Sequence, residues 1–237
     1  MTGSPDAPAW LRRATEPSTA DGSDTLSLAR AMRRAMTLKG EPRQAAVLVL
    51  FGGSPEVDPG APGGLPADAD VLLTQRASTM RQHRGQVAFP GGGVESGDNG
   101  PIDTALREAA EETGLDRSGV EPLLVLPKLF VPPSRFDVTP VLAYWRTPSD
   151  VRVVDRGETD RVVRVPLAEL LDPANRFLVR GTMGYTSPAF LVDGLLVWGL
   201  TGGILAGIFG AAGWERDWDR EDVRDLEKTL AAVGMTL

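Results

Sequence analysis

A chain of 237 residues with 42% hydrophobic and 24% charged residues can bury a full core, and one domain with appended segments is the expectation. The absence of cysteine excludes a disulfide framework, a Cys-ligated zinc site, an iron–sulfur cluster and a cysteine nucleophile, and it fits a reducing, cytoplasmic setting. The formal charge of −7 argues against nucleic acid as a partner, and a phosphorylated small molecule would need a divalent cation or a local arginine cluster to offset repulsion.

Residues 1–24 are rich in Pro, Ser, Thr, Ala and Asp and read as a flexible tail ahead of a single domain over 25–237. A short amphipathic helix fits 26–36. The apolar, branched run 45–51 predicts a buried strand, and 52–70, crowded with Pro, Gly and Asp, predicts an exposed loop. Strands follow at 71–76 and 86–89, the latter with Val87 and Phe89 inward. Three glycines, Gly91 to Gly93, break the pattern. A helix over 102–113 then ends at Gly114, placed as a C′ glycine. Further strands are expected at 123–126, 138–144, 151–154, 161–165 and 177–180, with a short helix over 166–171 that has proline in its first turn.

Asp193-Gly194 predicts a two-residue hairpin turn between 190–192 and 195–197. The stretch 195–214 is 20 residues without a charge, long enough for a membrane span, but six glycines interrupt it. It reads as a strand followed by a core helix from about Thr201 to Ala212, and no membrane partner is expected. The last segment, 218–234, predicts an amphipathic helix with Val223, Leu226, Leu230 and Ala231 on its apolar face. Mixed strands with two or three long helices point to an α/β domain of the sandwich kind.

The most informative stretch runs from Arg107 to Leu115. On a helix, Glu108 lies beside Glu111 and Glu112, so three carboxylates share a face. Like charges at those spacings repel, and a hard divalent cation with oxygen-ligand preference converts repulsion into binding. Arg107 is placed to pair with Glu111, while Ala105, Leu106, Ala109 and Ala110 can face the core. Directly before this helix, Gly91-Gly92-Gly93 lets backbone approach a phosphate closely.

This arrangement of a double glycine, an acid and then Arg-Glu-x-x-Glu-Glu-x-Gly-hydrophobic resembles the Nudix box of hydrolases that act on nucleoside diphosphates linked to another moiety. The helix half matches fully. In the loop half, Gly92 and five residues lead to Asp98, where the usual box has Glu, and eight residues rather than seven precede Arg107. The resemblance implies an α/β/α sandwich with a mixed β-sheet, Mg²⁺ or Mn²⁺ held by Glu108, Glu111 and Glu112, and Glu111 or Glu112 orienting the attacking water. It gives Arg107 a supporting part, and an acid from a loop comparable to that of Glu158 can assist as base or ligand.

Upstream, Leu72-Leu73-Thr74-Gln75-Arg76 and then Arg81-Gln82-His83-Arg84-Gly85-Gln86-Val87-Ala88-Phe89-Pro90-Gly91-Gly92 resemble the extra motif of the coenzyme A diphosphatase subfamily, departing from it at Ala77 and Met80. The likeness spans about 45–205, with its specific motifs confined to 72–115. It implies cleavage of coenzyme A or acyl-CoA to 3′,5′-ADP and 4′-phosphopantetheine or its acyl form. A 3′-phosphate favours clustered cations, and Arg76, Arg81, His83 and Arg84 supply them in an otherwise acidic chain. Gly91, Gly92 and Arg135 join the expected substrate contacts. Hydrolysis of ADP-ribose or another nucleoside diphosphate derivative is the alternative, a ligand-sensing module without chemistry a third reading, and a homodimer is compatible with all three.

Overall fold

The computed structural model describes residues 7–15, 42–80, 84–131, 135–181 and 184–235, so the expected helix over 26–36, and Arg81 and His83, lie outside the described residues. Elements are numbered in chain order. Strand β1 (Arg43–Gly52) is apolar on both faces: Ala46, Leu48 and Leu50 point one way, Val49 and Phe51 the other, and all are fully buried. It pairs in parallel with β7 (Phe136–Trp145) over nine residues, from Arg43 opposite Phe136 to Phe51 opposite Tyr144. Parallel ladders require cover on both sides, which is why β1 from Ala45 and β7 from Pro140 run apolar without alternation.

The other edge of β1 is shared. Its first half takes β4 (Gly91–Gly93) and its end takes β2 (Asp70–Arg76), both antiparallel. Strand β2 also pairs with β3 (Val87–Ala88) and β8 (Thr159–Pro166), and β7 pairs with β5 (Val120–Val125) and β6 (Leu129–Val131), completing an eight-stranded mixed sheet.

Helix α2 (Pro101–Thr113) lays Ala105 and Ala109 on one face of this sheet, against Ala46, Leu48, Leu50, Leu72, Val141, Ala143 and Trp145. The opposite face, with Val49, Phe51, Val71, Leu73 and Tyr144, is covered by α1 (Ala9–Thr15), α4 (Gly199–Ala212) and a second sheet. That sheet has the order β11 (Leu195–Val197), β10 (Thr186–Val192), β9 (Arg176–Arg180), β12 (Val223–Asp225). Its far face packs Phe177, Val179 and Ala189 against Leu226 and Leu230 of α5 (Leu226–Ala232). The remaining helix, α3 (Leu167–Leu170), follows β8 directly. Helix, mixed sheet and helices give the expected α/β sandwich. The uncharged run 195–214 resolves into β11 and α4, and among the described residues no helix is long and apolar enough to cross a membrane.

Several expectations are corrected. Residues 9–15, assigned to a flexible tail, form a helix whose Trp10 and Leu11 are buried; the Trp10 indole meets Tyr144 and Trp214 and donates to Ser54 O at 2.9 Å. That bond also ties the 52–70 loop to the body, where Ser54 and Asp68 hydrogen-bond each other. The C-terminal helix is shorter than 218–234, because the Asp225 carboxylate accepts the Lys228 N–H as an N-cap and residues before it join β12. Residues 151–154 are not a strand: the Arg152 and Val154 amides donate to Thr113 O and Glu112 O, at 2.8 and 3.4 Å, and so cap the end of α2. Strands β4, β6 and β12 are three residues each, too short for a periodic signal.

Candidate active site

The site grows out of α2 and the strand facing it. Pro101 occupies the first turn, where its missing N–H is no loss, and Gly100 precedes it at φ 119°. Gly114 ends the helix in the left-handed region and returns its N–H to Ala110 O at 2.9 Å. Because Thr104, Ala105, Ala109 and Thr113 are buried against the sheet, the 3.6-residue period turns Glu108, Glu111 and Glu112 toward the rim.

Arg107 organises that rim. Its Nε and Nη2 form a bidentate clasp on Asp98, at 2.9 and 3.0 Å, and Nη2 also donates to the Gly93 carbonyl at 2.9 Å. Its Nη1 reaches both Glu108 and Glu111, at 3.1 and 3.0 Å. The Asp98 side chain is almost wholly buried, accepts further bonds from the Glu95 amide and the Thr104 hydroxyl, and is held well below the usual carboxylate range, chiefly by the Arg107 guanidinium. The longer loop and the shorter acid of this chain are therefore reconciled: Asp98 secures the arginine that bridges Glu108 and Glu111. Spacing alone left Asp98 without a role, and Thr104 carried no signal beyond its place one turn before Glu108.

The glycine strand explains itself residue by residue. A Cβ on Gly91 would stand 2.4 Å from Ala46 O, so β4 can lie on β1 only with glycine there. A Cβ on Gly92 would stand 2.5 Å from the Glu108 carboxylate, whereas one on Gly93 would meet nothing within 4 Å. The Gly91 N–H donates to Glu112 Oε2 at 3.2 Å. Burial pushes Glu112 up to about 7, helped by the charges of Glu108 and Glu158, against the pull of the Gly91 amide and Arg76. Burial also raises Glu108, with Arg107 opposing.

Of the other expected residues, Arg76 and Glu158 come within electrostatic reach of Glu112. They meet there because β2 and β8 slip register at Gln75/Arg76, leaving Asp160 as a bulge that carries Glu158 over the strand end. Arg84 is exposed and lines a separate cavity of about 240 Å³ with Gln75, Asp160 and Met235. Arg135 is in the turn before β7, at φ 56°, beside the start of β1, with its carbonyl accepting the Arg43 N–H. The three glutamates share a helix face; Glu108 and Glu111 both meet Arg107 Nη1, and Glu112 meets the Gly91 amide. Among the described residues no group of three acidic or histidine side chains is gathered as a metal site. Arg107, bound to both Glu108 and Glu111, offsets their mutual repulsion. As a donor set, all-oxygen carboxylates fit a hard divalent cation.

Comparison with known families decides the relationship. The NUDIX domain family matches residues 59–182, just over half of the chain. The chain belongs to the Nudix family. Relatives of this Nudix chain include an "Uncharacterized Nudix hydrolase NudL" of Cronobacter sakazakii, 42% identical over 130 residues, covering 54% of this chain and 60% of the relative. The same name is carried by a Salmonella paratyphi B protein, 42% identical over 135 residues with the same coverage. The chain thus spans 60% of the length of these curated relatives. A crystal structure of a Nudix hydrolase from M. Smegmatis, RenU, is similar at 24% identity, covering 56% of this chain and 76% of that one with a TM-score of 0.40.

Proposed function

We propose that this Nudix chain is a Mg²⁺- or Mn²⁺-dependent diphosphatase that hydrolyses coenzyme A or acyl-CoA to 3′,5′-ADP and 4′-phosphopantetheine or its acyl form. The observation that carries the hydrolase reading is Glu112, a half-buried carboxylate whose affinity for protons is raised beside a glycine amide, with an arginine and a second acid at hand. Glu108, Glu111 and Glu112 would hold the cation, and Glu158 would help as ligand or base. A bound divalent ion supplies neutralisation of the diphosphate oxygens and a more acidic water.

The chain's own residues do the rest. The backbone at Gly91 and Gly92 is the proposed phosphate contact, with Gly92 leaving room for the Glu108 carboxylate, and Arg107 links Glu108 and Glu111 through one nitrogen. Glu111 or Glu112 orients the attacking water and accepts its proton. The coenzyme A assignment is supported by the sequence from Leu72 to Gly92, with Arg76, Arg81, His83, Arg84 and Arg135 as the proposed substrate contacts. A cysteine-free composition suits work in the cytoplasm. The test is a hydrolysis panel of coenzyme A, acetyl-CoA, ADP-ribose and dinucleotides with each metal, products identified by mass. Release of 3′,5′-ADP from coenzyme A is expected, and preferential cleavage of ADP-ribose would overturn the substrate.

A further inference from the structure

Arg76 and Arg84 read as members of one cationic patch in the sequence, yet the fold parts them. Arg84 belongs to the cavity with Gln75, Asp160 and Met235, whereas Arg76 is turned to the glutamate side.

The state of Arg76 there is unusual. It is half-buried, and its Nε is shut off from solvent without a hydrogen-bond partner. Among the described residues its Nη2 meets only the Met80 thioether, at 3.3 Å, which is a weak acceptor. Glu112 and Glu158 are near, yet among the described residues no carboxylate forms an ion pair with it. A guanidinium carries five donors in a fixed fork, and a buried donor without a partner is costly.

The stem, in contrast, is fixed. The Arg76 N–H donates to Gln86 O at 3.0 Å and its carbonyl accepts the Gly85 N–H at 3.2 Å. The next residue, Ala77, donates to Glu158 O at 2.8 Å, and the Ser78 amide donates to Asp160 Oδ2 at 2.8 Å. The backbone at Arg76 is therefore held, while among the described residues its Nε has no partner and its Nη2 only a thioether. A planar fork with free donors, beside acids suited to a divalent cation, matches a doubly oxygenated anion, and bidentate pairing with phosphate is its strongest option. Met80 offers a resting contact that can be given up cheaply.

We propose that Arg76 grips the diphosphate being cleaved, and not an outlying phosphate of the substrate; this rests on the diphosphatase reading above and makes Arg76 a catalytic residue. Wild type, Arg76→Lys and Arg76→Gln are compared with Mg²⁺ on coenzyme A and on 3′-dephospho-coenzyme A, and binding of methylenediphosphonate is measured by calorimetry. Arg76→Gln is expected to lower kcat/KM about a hundredfold, equally on the two substrates. Arg76→Lys should recover part of the loss on both, and diphosphonate binding should weaken in Arg76→Gln while the melting temperature holds. A loss confined to coenzyme A would make Arg76 a reader of the 3′-phosphate and overturn the proposal, as would unchanged turnover on both. If wild type cleaves neither compound but binds methylenediphosphonate through Arg76, the diphosphatase reading fails and the grip stands. Binding that is absent, or equal in Arg76→Gln, overturns the grip whatever the activity.

Discussion

At the scale of single residues, the rim of α2 makes distinct demands on its neighbours. Glu112→Gln and Glu111→Gln are each expected to cut turnover by a hundredfold or more, roughly the worth of one general base, with the fold intact. Full activity in both variants, measured beside circular dichroism, would contradict their roles. Gly92→Ala and Gly93→Ala form a sharper pair. The first pushes the Glu108 carboxylate aside and should depress activity with little change in stability, since only a flexible side-chain end must move. The second meets open space and should be close to neutral in both assays. Asp98 gives a pH signature. Its folded-state affinity for protons is lowered, so its stabilising effect is present above the unfolded carboxyl value near about 4 and is lost as the solution is acidified below that. Thermal melts across that range should fall less steeply in Asp98→Asn than in wild type, from a lower starting point. The glutamate spacing was legible in the sequence because a helix period is rigid. The clasp of Asp98 and the bridging of Glu108 and Glu111 by Arg107 were not, because they depend on where a loop closes.

Among the elements, α2 was readable for the opposite reason to α1. Pro101, Gly114 and the buried alanines write the limits of α2 into the local sequence. Helix α1 has only seven residues, and a helix that short owes its existence to packing, here to Trp10 against Tyr144 and Trp214. Trp10→Ala is expected to cost about 3–5 kcal/mol, read from chemical denaturation; a loss below 1 kcal/mol would show that α1 is not part of the core. The segment 151–154 misleads for a related reason: its valines suggest a strand, but its amides answer the open carbonyls at the end of α2. Hairpin β10–β11 was legible down to its register, since Asp193 and Gly194, at φ 48° and 73°, adopt the turn that such a dipeptide favours.

For the molecule as a whole, the decisive fact is that two sheets share one apolar interior. Val49 and Phe51 from the large sheet, Phe190 and Leu195 from the small one, and Phe209 and Trp214 from α4 and its end belong to a single buried cluster. Unfolding followed by far-ultraviolet dichroism and by tryptophan fluorescence should therefore give coincident transitions. Separate midpoints would mean that the small sheet melts on its own.

The β1–β7 ladder has a consequence for how the chain is made. Arg43 and Phe136 sit side by side at its start, so about 90 residues leave the ribosome between one strand and the other. At ordinary elongation rates that interval is roughly 5–20 s, during which a largely apolar β1 waits with an open edge. The glutamate-bearing helix is synthesised inside that interval, and the surface it must lie on is complete only when β7 arrives. Slowing translation ahead of residue 136 should thus raise the share of nascent chain captured by holding chaperones, more than the same delay placed after residue 145.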